Sequence, residues 1–198
     1  MISEDLHLHT SKVTLRPMKP GDFEIFLSLA QDEDMWKYFS LNLADPQQLK
    51  KWMDAAFQEK QVKTRMPFTI IEKSTGRIAG STSMGNISFH DLRLEIGWSW
   101  LGREFRGTDM NLHNKYAMMK HAFDQLHFER IEFKTDVLNT RARKGLQKIG
   151  GREEGILRSH MTMWNNRRRD SIYFSVLKSE WPQLQQTIFK ELEKNEDR

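Results

Sequence analysis

Two stretches of this 198-residue chain carry residue types that could do chemistry. The first is Leu94-Glu95-Ile96-Gly97-Trp98-Ser99-Trp100, a β-rich run that holds the carboxylate Glu95 and leads toward a helix start. The second is Arg106-Gly107-Thr108-Asp109-Met110-Asn111, a glycine-bearing turn ahead of a helical pattern. A turn of this kind at a helix start exposes unpaired backbone N–H groups beside the positive end of the helix dipole. Arg106 adds a charged donor suited to a pyrophosphate. Taken singly, each has a blander reading: a strand Glu is usually solvated or ion-paired, and one glycine with one arginine is usually an ordinary helix entry.

The remaining chemistry-bearing residues are weaker. His7 and His9 share a face of an extended segment, but no carboxylate stands at a supporting spacing and no metal is expected. His113 and His121 lack any metal-binding pattern, Met118 and Met119 read as core, and Arg167-Arg168-Arg169 reads first as a solvated loop. Trp36 and Tyr38 are aromatic candidates for a substrate pocket, with core packing the rival reading.

The elements that must position these residues can be read from spacing. Lys12 to Met18 is a short strand, and Pro20-Gly21-Asp22 turns it into a helix bearing Phe23, Phe26, Leu27 and Ala30. Asp45-Pro46 starts a second helix with Leu49, Trp52, Met53, Ala56 and Phe57 on one face. Pro67–Glu72, Arg77–Met84 and Leu92–Trp100 predict an antiparallel meander. Leu112, Tyr116, Met119, Phe123 and Leu126 then predict an amphipathic helix. Arg130–Asp136 is a further strand, Asn139–Ile149 a helix stopped by Gly150-Gly151, and Ile156–Met163 with Asp170–Leu177 a hairpin around Asn165-Asn166. A last helix spans 182–195 behind Trp181-Pro182, with Leu184, Ile188 and Leu192 as its stripe. The mixture of meander and helix crossover places the chain in the α+β or mixed α/β class, and its length suits one domain over residues 1–198.

Composition narrows the partners. The 31 Lys+Arg against 27 Asp+Glu leave a net charge of only +4, so nucleic acid is not implied as the main partner. The absence of cysteine removes disulfides and thiolate nucleophiles. No apolar run is long enough for a membrane span or a secretory signal, which points to a soluble cytoplasmic protein.

Together the motifs are specific where each alone is not. Arg-Gly-Thr-x-Met-Asn at 106–111, Asn114-Lys115-Tyr116-Ala117, Glu132-Phe133-Lys134-Thr135-Asp136 and Asn139-Thr140-Arg141-Ala142-Arg143 leading to Ile149-Gly150 resemble the GNAT acetyltransferase superfamily. The likeness is to its RimJ/RimL-type branch, and Leu15-Arg16-Pro17, Glu154-Gly155-Ile156-Leu157-Arg158 and Arg169-Asp170-Ser171 extend it over about residues 12–182. The resemblance implies a sheet splayed after its fourth strand, with acetyl-CoA in the gap. Trp98, Ser99, Trp100 and Leu101 would offer backbone to the pantetheine, and the turn Arg106, Gly107, Thr108, Asp109, Met110, Asn111 would hold the pyrophosphate. Asn139 and Arg143 would reach the cofactor from the fifth strand, and an N–H near Trp98 would face the developing oxyanion. Glu95 is the implied base, and Trp36 and Tyr38 would line the acceptor groove.

Two residues depart from the pattern. Asp109 stands where a small residue is usual and puts a carboxylate near the diphosphate, and Ala142 stands where relatives carry a serine able to protonate the departing thiolate. The expected function is transfer of an acetyl group from acetyl-CoA to a primary amine, by direct attack in a ternary complex. The amine would be a protein N-terminus, ribosomal among the candidates, or a small molecule. The rivals are a catalytically weak or inactive CoA-binding or partner-binding module, and an RNA contact through Arg167 to Arg169. The final helix and hairpin could support a homodimer.

Overall fold

The computed structural model describes residues 2–194. Eight strands form one sheet: β1 (Leu8–His9), β2 (Val13–Pro17), β3 (Met66–Glu72), β4 (Ile78–Ser88), β5 (Arg93–Leu101), β6 (Arg130–Asp136), β7 (Arg152–Thr162) and β8 (Arg168–Leu177). Their order is β1-β2-β3-β4-β5-β6-β8-β7. Every neighbouring pair is antiparallel except β5 and β6, which are parallel because a helix, α3 (Met110–Lys120), crosses over between them. The remaining helices are α1 (Phe23–Leu29), α2 (Pro46–Gln61), α4 (Thr140–Lys148), α5 (Trp181–Gln186) and α6 (Lys190–Lys194).

Local chemistry sets the boundaries. Asp45 caps α2 by accepting from the backbone N–H of Gln47 and Gln48, with Pro46 in the first turn. Arg16 on β2 donates to both carboxylate oxygens of Asp22, and Thr69 Oγ1 donates to the same group at 2.6 Å, tying the first turn to β3. Burial pushes the Asp22 carboxyl up, but these donors and the Lys19 N–H outweigh it and hold the group below its ordinary range.

Two cores lie on opposite faces of the sheet. On the α3 face, Leu15, Phe68, Leu94, Ile96, Phe133 and Phe174 pack with Met118 and Met119. On the other, Phe26, Trp36, Trp52 and Trp100 meet edge to face, with ring centroids 5.2 to 6.5 Å apart. Trp36 is fully buried and its Nε1 donates to the Ala30 carbonyl at 2.8 Å. Trp36→Ala is expected to cost about 3–5 kcal/mol in urea unfolding; a loss under about 1 kcal/mol would show that the aromatic cluster collapses around the gap.

Two expectations are corrected and one strand is added. The α3 helix is not an ordinary amphipathic surface helix. Residues His113 through Met119 are all buried, because the C-terminal segment covers its outer side: Tyr116 meets Trp181 and Phe189 at 6.2 and 5.4 Å. Its last turn widens into a π-helical turn over His121–Gln125. The helix expected over 182–195 is two short ones, broken at Thr187 so that Phe189 can turn into the core, and residue 195 lies outside the described residues. The edge strand β1 was not foreseen.

Candidate functional site

The parallel pair is short. β5 and β6 bond only over Arg93–Glu95 against Arg130–Glu132. Beyond that point each strand keeps its outer neighbour: β5 stays on β4 as far as Leu101, and β6 stays on β8 as far as Asp136. The inner edges of Gly97–Leu101 and Phe133–Asp136 therefore lack a strand partner and diverge, leaving main-chain N–H and C=O groups free to pair with an extended ligand.

A bulge marks where the strands part. Ser83 pairs with Gly97 and Ser81 with Trp100, so Thr82 alone opposes both Trp98 and Ser99. Trp98 takes φ +52°, a left-handed value uncommon for a non-glycine residue and costing on the order of 1–2 kcal/mol. Its indole lies over the backbone of Gly85, where any side chain would collide with the ring. The Arg65 guanidinium stacks 4.4 Å from the same indole and helps hold it there.

The bulge also sets which side chain faces which side. Before it, Glu95 lies with the aromatic face; after it, Ser99 points toward α3. Glu95 is 3% exposed, and its Oε2 accepts from Asn86 Nδ2 at 2.8 Å and from Lys134 Nζ at 3.0 Å. On the α3 side, Lys115 Nζ donates to Ser99 Oγ at 2.8 Å and stands 5.7 Å from the Phe133 ring centroid. It thus bridges from β5 to β6 across the gap. Ser99 in turn shares a hydrogen bond with Thr82 Oγ1 at 2.7 Å. Burial pushes the Lys115 ammonium down to about 7, against a smaller opposing pull from Glu95. Beside it on α3, Asn114 is fully buried and its amide O and N have no partner.

The turn into α3 follows β5 directly. Gly107 takes φ +83°, which only glycine adopts freely, and the chain then enters the helix at Asp109. A cleft of about 380 Å³ beside this turn is lined by Arg103, Arg106, Arg141, Asp32 and Asp34. Arg106 pairs with Asp32 and holds that carboxyl below its ordinary range. An anion entering the cleft would compete with Asp32 for Arg106.

The other anticipated site residues fall unevenly. Asp109 does not cap its own helix and does not stand as an unpaired charge: Lys12 Nζ binds it at 2.5 Å and His113 Nε2 lies 3.7 Å away. The Lys12 contact keeps its carboxyl below the usual range. Thr108 Oγ1 donates to the Phe105 carbonyl, Met110 is buried, and Asn111 is exposed. Trp100 and Leu101 are buried, so only their backbone can meet a ligand. Asn139 Oδ1 caps α4 through the Ala142 N–H at 3.0 Å, leaving its amide nitrogen uncommitted to that cap. Arg143 is turned toward the Val137 carbonyl and Glu153, at 3.2 and 3.5 Å. Trp36 has no exposed surface, so the expectation that it touches an acceptor is corrected; its ring packs on Phe39 and Trp100, while Tyr38 remains half-buried.

Sequence reasoning missed Lys115, Lys134, Arg65 and Arg169 as site residues, and Arg103 and Arg141 as lining of the cleft. The signal available for Lys115 was its place inside the quoted motif at 114–117; the long-range approach of Arg65 had none. Among the described residues no cluster of three or more His, Cys, Asp or Glu side chains is placed to hold a metal ion, and no helix is long and apolar enough to cross a membrane.

Comparison with known proteins agrees with this geometry. The family described as "Acetyltransferase (GNAT) domain" matches residues 12–152. A Bacillus licheniformis protein named uncharacterized N-acetyltransferase p20 is 27% identical over 175 residues, 88% of this chain and 97% of its own. A GCN5-related N-acetyltransferase from Brucella melitensis superposes with a TM-score of 0.86 at 26% identity, covering 96% of this chain and 86% of that one. Mycobacterium smegmatis RimJ, solved with CoA-disulfide, shares the fold at a TM-score of 0.78 and 20% identity over 94% of both chains.

Proposed function

Because this chain belongs to the GNAT acetyltransferase family, we propose that it transfers the acetyl group of acetyl-CoA to a primary amine in a ternary complex. The observation that carries this reading is the gap between β5 and β6, opened at a bulge, bridged by Lys115 and continuous in sequence with an arginine-lined cleft at the start of α3. The free strand edges suit the amides of a pantetheine arm. The N–H groups opening α3, with Arg103, Arg106 and Arg141, suit the phosphates. Asn114 and Asn139 supply further amide donors.

In this reading the acceptor approaches from the Glu95 face. A neutral amine attacks the thioester carbonyl, a C–N bond forms, and the carbonyl oxygen gains charge beside the backbone N–H groups of the bulge at Trp98. Glu95 takes the surplus amine proton directly or through one water. The C–S bond then breaks, and the sulfur receives a proton from Lys115 through Ser99. This route replaces the serine that is absent at Ala142.

Two tests bear on the proposal. Release of free thiol from acetyl-CoA in the presence of an amine panel, with the acetylated amine identified by mass spectrometry, supports a transferase; acetyl-CoA binding with no acetylated product from any amine contradicts it. Separately, Asp109→Gly is expected to bind acetyl-CoA several-fold more tightly, since it removes a carboxylate from the turn proposed to hold the phosphates and frees Lys12. Titration calorimetry showing tighter binding by the wild type would rule out that placement of the diphosphate.

A further inference from the structure

The side of the sheet that carries Glu95 holds more positive charge than an amine acceptor would call for. Glu95 on β5 and Lys134, Tyr173 and Arg169 on β6 and β8 share this face, since Lys134 pairs across strands with Tyr173, and Arg169 is four residues before Tyr173 on the same strand. Lys134 bonds Glu95 directly, while Arg65 and Arg169 both lie within electrostatic reach of that carboxylate. Three cations thus surround one carboxylate. Glu59 offsets Arg65 at 3.0 Å, and Asp136 is taken by Arg167. Arg169 forms no salt bridge among the described residues, and Asp136 and Glu95 act on it only at longer range.

Arg169 is also costly to leave so. It is 7% exposed, its Nε has no hydrogen-bond partner among the described residues, and its Nη1 reaches only the Tyr38 carbonyl, at 3.4 Å. A buried guanidinium with unused donors is destabilising unless something else satisfies it. Trp164 Nε1, in the turn between β7 and β8, donates to the Trp36 carbonyl at 3.0 Å and ties that turn to the segment carrying Tyr38. Arg65 has the same deficiency, with Nη2 buried and unpartnered on the other flank of Glu95.

We propose that the acceptor is an amine carrying its own carboxylate a few bonds away, and that Arg169 is the residue that binds this carboxylate while Glu95 faces the amine. The inference rests on the acetyltransferase reading above and narrows it. A polyamine or an amine with no acid group brings nothing for Arg169 and adds charge of the wrong sign. An amino acid, or a peptide whose first residues are acidic, supplies the missing anion at short range from the nucleophile. A bidentate fork onto a carboxylate uses the guanidinium donors that the fold leaves idle.

The test compares matched acceptors by thiol release: a free amino acid and its amide, a peptide opening with acidic residues and its Gln/Asn counterpart, and a linear polyamine. The carboxylate member of at least one pair is expected to have a kcat/KM about tenfold or more above its neutral partner. Which pair responds distinguishes a small molecule from a peptide N-terminus. Arg169→Gln is expected to abolish that preference by raising KM for the acidic acceptor about tenfold more than for its neutral partner, with Arg169→Lys between them. Faster turnover of the polyamine or of the amides, or an equal loss on both members in Arg169→Gln, overturns the proposal. Absence of turnover with every amine defeats the transferase reading instead. The acceptor site is then judged by calorimetry on the protein with CoA bound, where the acidic amines must bind the wild type and not Arg169→Gln.

Discussion

Lys115→Met is expected to lower kcat by about 10²- to 10³-fold while leaving the KM for acetyl-CoA nearly unchanged, as befits a proton donor used only when the C–S bond breaks. The substitution keeps an unbranched side chain one heavy atom shorter and removes its charge and donors, so most of the gap between β5 and β6 stays filled. The wild-type profile should carry a falling limb in kcat above pH 7, where burial has brought Lys115 to about 7 and the donor loses its proton. Lys115→Arg keeps a proton at all these pH values, so its profile should lose that limb. Stability offers an independent reading of the same group. In the unfolded chain the amine holds its proton up to 10.5, but in the fold only to about 7. Between those values the unfolded state binds the extra proton, so stability rises as pH climbs from 7 toward 10.5, and the full cost of the buried charge is felt below 7. Lys115→Met should flatten this slope and unfold no more easily than the wild type near pH 7. A kcat within about threefold of wild type would place the proton source elsewhere, since general acids contribute far more than that.

The contrast between Lys115 and Glu95 shows what a sequence discloses. Helix and strand positions followed from spacing wherever one face met solvent, as in α2 with Leu49, Trp52, Met53 and Ala56. The turn at Arg106 to Asn111 was legible as a helix entry because Gly107 supplies the left-handed φ of +83° that the turn into α3 needs. The splay itself followed only from resemblance, since no local pattern says that β5 and β6 should pair for three residues and then part. Burial was the weak point. The run His113-Asn114-Lys115 looks like the wet side of a surface helix, and nothing local reveals that Phe189 and Trp181 close over that helix. The same limit made Asp109 look like an unpaired repulsive charge, when its partner Lys12 lies almost a hundred residues earlier on the chain. Ionic partners brought together by topology are invisible to spacing, and they decide the charge of this site.

Glu95→Gln is expected to lower kcat by about 10²-fold, and the chief difficulty is to separate lost proton transfer from lost structure. The carboxylate is buried and holds Lys134 at 3.0 Å, and removing one member of such a pair costs up to about 3–5 kcal/mol by stranding the other. Lys134→Met removes the opposite member and leaves the carboxylate bonded to Asn86. The double variant Glu95→Gln/Lys134→Met removes both members of the bonded pair, so neither is stranded by loss of the other. If Glu95 accepts the amine proton, the double variant recovers stability in urea unfolding yet stays as slow as Glu95→Gln, and Lys134→Met alone retains or exceeds wild-type kcat. A carboxylate present only to neutralise Lys134 predicts the reverse: activity would return along with stability in the double variant, because restoring the charge balance would restore everything Glu95 contributes.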